Sequence, residues 1–208
     1  STIEKIYANR FSRFTKRECN ELRSCLFLNL GAGKFEKRPL PSVVQHSPVF
    51  SIVTADWQGD GMIDLFITQN FFQQQPDAPK LEAGRGLILF GSGRGTFDPA
   101  QGIESGVMVY GEQRGAAWGD FNNDNRPDLI VSQNASDTTL WLNQNGEPGV
   151  RVSLAGPKNN PKGLGARLLV TKQDGQKISI PIVAGDGYNS QSSSRPILGD
   201  VRNVKSIE

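Results

Sequence analysis

Two sixteen-residue segments of this chain, Ala55–Asn70 and Gly119–Asn134, overlay at a constant offset of 64 residues. Asp56, Asp60 and Asp64 fall on Asp120, Asp124 and Asp128, and Trp57 falls on Phe121. Both segments close with Gln-Asn, at Gln69-Asn70 and Gln133-Asn134. Repetition at this period constrains the fold more than any other feature. One unit of this size cannot bury an apolar face alone, so units must stack.

A second element repeats around the first. Leu26–Phe35 and Leu87–Phe97 each run from an apolar stretch into a Gly-rich turn, and Leu140–Gly146 begins a third copy. Such runs predict a strand entering a hairpin. One unit then holds an apolar strand, a turn, a strand at Val49–Thr54, an acidic loop and a strand at Leu65–Thr68. Four short strands in about 60 residues match the blade of a β-propeller. Residues 71–86 are a polar insertion, predicted to be a surface loop and a candidate contact site.

The pattern changes after Gly146, and no third acidic loop follows. Val150–Leu154, Ala166–Lys172 and Lys177–Val183 alternate polar and apolar, with Asp174-Gly175 as a hairpin turn between the last two. Val204–Glu208 reads as the start of another strand, cut off at the chain end. Residues 1–25 have little periodicity and read as an N-terminal arm or the end of an upstream blade. The predicted organisation is therefore 1–25 as arm, 26–146 as repeat blades and 147–208 as a separate β-rich domain.

Each acidic loop puts oxygen-bearing side chains at alternate positions, so that intervening residues point away. The first offers Asp56, Gln58 and Asp60, the backbone carbonyl of Met62, and Asp64. The second offers Asp120, Asn122, Asp124, the carbonyl of Arg126, and Asp128. Calcium takes six to eight such oxygens at roughly 2.3–2.6 Å. Three carboxylates at this spacing should repel without a cation. Magnesium prefers a tight, water-rich octahedron, and zinc would want His or Cys. The expectation is two calcium ions as structural staples. Solvated Asp-Gly turns are the competing reading, because Asp, Asn and Gly favour turns for local reasons. An EF-hand would continue to a Glu at position 12, where this chain has Ile67 and Val131 inside apolar strands. Gly61 and Asn125 occupy the sharp turn, where positive φ is tolerated best.

The net charge of +2 gives no electrostatic basis for nucleic-acid or anionic-membrane binding. No apolar run approaches the ~20 residues that span a bilayer. No signal peptide is visible and Ser1 is not an initiator Met, which suggests a processed chain or an excised piece of a longer one. Secretion, extracellular or periplasmic, is the expected location. Cys19 and Cys25 could then close a small loop as a disulfide, or stay free thiols. Asn134-Ala135-Ser136 fits a glycosylation sequon.

Catalysis has little support. His46 is the sole histidine and reads as a surface residue. Gly84-Arg85-Gly86 and Gly91–Gly95 lack the Lys-Ser/Thr ending of a phosphate loop and read as hairpin turns. Trp57, Trp118, Phe121 and Trp141 could stack on carbohydrate, but the shared register of Trp57 and Phe121 favours blade packing.

The acidic loops resemble those of the FG-GAP/VCBS repeat family, the blade type of integrin α-subunit propellers. That family's Asp-x-Asp/Asn-x-Asp-Gly-x-x-Asp loop matches Asp56–Asp64 and Asp120–Asp128, with Gln58 and Asn125 as departures. Its Asn-x-Gly-x-Gly-x-Phe turn is similar to Asn29–Phe35 and to Gly91–Phe97. Arg151–Leu154, Asn160–Arg167 and Gly187–Ser193 resemble the ASPIC/UnbV domain that follows such blades in cartilage acidic protein-like chains. The resemblance implies an all-β fold: a partial β-propeller of roughly two to three blades with a C-terminal β-rich domain, where a closed ring would need about seven. It implies a calcium-binding extracellular scaffold for a protein or glycan ligand. The alternative is a non-catalytic module of a larger secreted enzyme acting on polysaccharide.

Overall fold

The structure is a computed structural model and describes residues 3–7, 10, 13, 15, 17–78 and 80–208. Of the expected N-terminal arm, it describes a short helix, α1 (Ile3–Tyr7); residues 1, 2, 8, 9, 11, 12, 14 and 16 lie outside the described residues. Strand accounts for 40% of the fold and helix for 9%, so the protein is all-β, in several small antiparallel sheets, none of them closed.

The first sheet is a hairpin of β1 (Cys25–Gly31) and β2 (Lys34–Pro39), turning where the Gly-rich sequence predicts. A 3-10 turn at Ser42–His46 buries Val44 and leaves His46 exposed. The second sheet orders β3 (Val49–Ala55), β4 (Asp64–Gln69), β5 (Leu87–Gly91) and β6 (Phe97–Pro99) consecutively. A one-turn helix, α2 (Gly102–Ser105), follows, with Gln101 and Glu104 forming a capping box. The third sheet orders β7 (Glu112–Gly119), β8 (Asp128–Asn134) and β9 (Ser136–Trp141).

The repeat holds at the level of backbone pairing. Ala55 faces Asp64 as Gly119 faces Asp128, and Ile52 faces Ile67 as Ala116 faces Val131. Even the irregularity recurs, between Val49 and Ile52 in one pair and between Gln113 and Ala116 in the other. The two sheets diverge at the next connection. β4 and β5 are joined by the predicted insertion, whereas Ala135 alone, at φ 54°, joins β8 to β9.

The second sheet lies between two apolar layers, and β4 is buried at every residue. Successive strand residues point to opposite faces. Val53, Phe66 and Ile88 pack with Ala116, Leu129 and Val131 of the third sheet. Leu65, Ile67, Leu87 and Leu89 pack the other way, with Leu40 and Val44. This double-sided burial explains the near-continuous apolar run in β4.

The C-terminal part forms two small sheets. β10 (Val150–Arg151) pairs with β13 (Ile197–Leu198). β11 (Arg167–Lys172) lies between β12 (Lys177–Pro181) and β14 (Val204–Ile207). The Asp174-Gly175 turn forms as predicted, with the Gln176 N–H donating to Asp174 Oδ1 at 2.9 Å. The strand expected at Val204–Glu208 forms as β14 and pairs with β11, whereas only two residues of Val150–Leu154 become strand.

Two further expectations are corrected. Cys19 and Cys25 are free thiols and form no disulfide; Cys25 is fixed in β1 against Pro39, while Cys19 is exposed and donates to the Glu21 carbonyl. Gly84-Arg85-Gly86 is not a hairpin turn. Gly84 runs against β4's end, where a Cβ would lie 2.4 Å from that of Gln69.

Candidate metal centre

The two acidic loops connect β3 to β4 and β7 to β8, and five backbone N–H bonds to their aspartates recur at equivalent atoms. The Gly59 N–H bond to Asp56 Oδ1, at 2.8 Å, belongs to the first loop and the Asp124 N–H bond to Asn122 Oδ1, at 3.2 Å, to the second. The N–H groups of Asp60 and Gly61 donate to Asp56 Oδ1 and Oδ2 at 3.1 and 2.7 Å. Those of Asp124 and Asn125 donate to Asp120 Oδ1 and Oδ2 at 3.1 and 3.0 Å. The Met62 N–H reaches Asp60 Oδ1 as the Arg126 N–H reaches Asp124 Oδ1. Positive φ occurs twice per loop, at Gly59 and Gly61 and at Asn123 and Asn125. Only the second of each pair is legible from the metal-loop spacing. The first, Gly59 or Asn123, is found only by noticing that Gly or Asn occupies both equivalent positions.

The last aspartate of each loop has a structural task. Asp64 is 0% exposed; its Oδ2 accepts from the Trp57 N–H at the loop start and its Oδ1 from the Gly91 N–H at the end of β5. Asp128, also 0% exposed, accepts from the Phe121 and Asn143 N–H groups in the same way. Each thereby ties loop, hairpin and neighbouring strand together.

This changes the picture of crowded carboxylates. Among the described residues, no three His, Cys, Asp or Glu side chains converge as a ready ligand set. The aspartates are turned toward backbone N–H groups instead. A carboxylate has about four lone-pair sites, so these bonds leave capacity for a hard cation. The donors are all oxygen, which fits calcium or magnesium and excludes a thiolate or imidazole site. Gln58 and Asp60 are exposed on the first loop. In the second, Asn122 Nδ2 donates to Asp124 Oδ2 at 2.8 Å, so that amide is already engaged.

The loops differ in charge balance. No ion pair reaches Asp56, Asp60 or Asp64 among the described residues; Lys172 Nζ instead sits 3.2 Å from the Gly61 carbonyl and 4.0 Å from Asp200. Burial pushes Asp56 up to about 6, reinforced by the charge of Asp60, although backbone donors oppose the rise. Burial likewise pushes Asp64 up to about 6. In the second loop, Arg151 pairs with Asp120, and Arg126 reaches Asp124 at 3.1 Å. Burial tends to raise Asp124, but hydrogen bonds from Asn122 and Arg126 hold it below the usual range.

Both loops also form the floor on which the C-terminal sheets sit, which the sequence did not reveal. The Asp200 N–H donates to the Gly59 carbonyl at 3.0 Å, and the Gly149 N–H to that of Asn125 at 2.9 Å. Arg151 reaches Asn123 and Asn125 as well as Asp120. Gly199 passes so close that a Cβ there would lie 2.1 Å from Asp56 Oδ2.

The chain matches no protein-family model and no curated protein.

Other sequence candidates are dispersed. Trp57 is buried in the core, as packing predicts, but its counterpart Phe121 is 51% exposed. Asn134 of the sequon ends β8, and its Nδ2 donates to Glu112 Oε2 at 2.7 Å. The insertion is anchored by Asn70, the closing residue of the first repeat segment. Its side chain accepts from the Gly84 N–H and donates to the carbonyls of Gly84, Tyr110 and Gly111.

Proposed function

We propose that this chain is a calcium-stabilised extracellular binding scaffold built from FG-GAP-like propeller blades, with an ASPIC/UnbV-like C-terminal domain seated on the ion loops. The observation that carries this reading is the recurrence, at equivalent atoms, of five backbone hydrogen bonds to the aspartates of Asp56–Asp64 and Asp120–Asp128. Turns that were merely polar would have no reason to repeat positive φ, three aspartates and a strand bulge at one offset.

Asp56, Gln58, Asp60, Asp64 and the Met62 carbonyl would hold the first ion; Asp120, Asn122, Asp124, Asp128 and the Arg126 carbonyl the second. The first loop is the stronger site, because its carboxylates lack a cationic partner among the described residues and two are pushed up by burial. The second already has Arg126 and Arg151. Calcium would supply positive charge and cross-link the loop.

A cation that binds only the folded state stabilises it by mass action, by about 2.7 kcal/mol at a hundredfold excess over Kd. Melting in excess chelator should therefore occur several degrees below melting in millimolar calcium. Identical curves would remove the calcium reading.

A further inference from the structure

We propose that the cleft between the second and third sheets binds a neutral sugar ring. The cleft has a volume of about 410 Å³, within the range of sites that enclose small ligands. Trp57, Trp141 and Phe90 supply aromatic surface, and no lysine or arginine lines it. An anionic ligand would find no counter-charge there.

The polar groups select against a purely apolar ligand. Trp141 and Phe90 are half-buried, whereas Trp57 is only 7% exposed and its Nε1 is sealed from solvent. Gln58 and Asn145 line the same cleft, are exposed, and make no side-chain hydrogen bond among the described residues. Glu104 adds a carboxylate, one oxygen of which already accepts from the Gln101 N–H at 3.1 Å. A pyranose matches this set. Its C–H face stacks on the half-buried Trp141 ring, and its hydroxyls exchange hydrogen bonds with the Gln58 and Asn145 amides and the Glu104 carboxylate.

The inference gives the scaffold its ligand class and rests on that reading in one respect: Trp57 and Gln58 belong to the first acidic loop. The chain has three tryptophans, and Trp118 lies outside the cleft. The test is NMR of the three indole N–H signals of the full chain, assigned with Trp118→Phe, during millimolar titration with methyl glycosides of glucose, galactose, mannose and N-acetylglucosamine. At least one glycoside should shift the Trp57 and Trp141 signals and leave Trp118 in place. Trp141→Ala should weaken binding at least about tenfold, and the surface variant Asn145→Ala, outside both acidic loops, a few-fold with a native spectrum. No shift of either signal with any glycoside in calcium would overturn the inference, as would an equal shift with cyclohexanol, or unchanged affinity in Asn145→Ala. Repeating the titration in chelator separates the two readings: binding that survives there supports the cleft without the ion, and binding lost only there supports both.

Discussion

At the scale of single residues, the loops are set by a few backbone positions. Gly59 has φ +78°, and a Cβ would lie 2.3 Å from the Glu147 carbonyl oxygen. Gly59→Ala therefore combines left-handed strain with a clash against backbone, and should destabilise by about 2–4 kcal/mol in urea unfolding. Asn125→Gly keeps the allowed conformation and should stay within about 1 kcal/mol, because Gly accepts positive φ without strain. The carboxylates set a pH dependence. Asp56 and Asp64, raised to about 6 in the fold, favour the protonated form there. Their ionised forms oppose folding, so this penalty is absent below the unfolded-state value near 4 and complete above about 6. In chelator, their contribution should lower the melting temperature as pH rises from about 4 to 6; in calcium, which needs the ionised carboxylates, that decline should vanish or reverse. A chelator melting series that is no steeper than the calcium series would count against these assignments.

At the scale of elements, the insertion shows what the sequence reveals and what it hides. Its polar composition marks it as a surface loop, because polarity is a local property. Its anchor is not legible, since Asn70 bonds to Gly84, Tyr110 and Gly111, from 14 to 41 residues away. Asn70→Ala would leave a buried N–H and several carbonyls unpaired, and should cost about 2–4 kcal/mol by denaturant titration. A loss below about 0.5 kcal/mol would mean that the anchor is not formed. The same division holds for the strands. β3, β4, β11 and β12 follow from apolar pattern and turn residues, whereas the pairing of β14 with β11 depends on contacts across the C-terminal region that no local pattern encodes.

At the scale of the whole molecule, the acidic loops join the repeat sheets to the C-terminal sheets. The repeat is visible in the sequence because its aspartates recur at a fixed offset. The docking is not, because it uses Arg151, Lys172 and Asp200, which have no counterpart in any repeat. Arg151 and calcium are alternative sources of positive charge for Asp120. Arg151→Ala should lower the stability of the metal-free protein by about 3 kcal/mol or more, because it leaves a nearly buried carboxylate unpaired. It should also strengthen calcium binding at the second loop, which a dye-competition titration would read. The decisive measurement is a calorimetric titration of the metal-free full chain with calcium, alongside Asp60→Ala and Asp124→Ala. Two unequal sites are predicted, the tighter lost in Asp60→Ala and the weaker in Asp124→Ala; no binding heat, or the same two sites in both variants, would contradict the assignment.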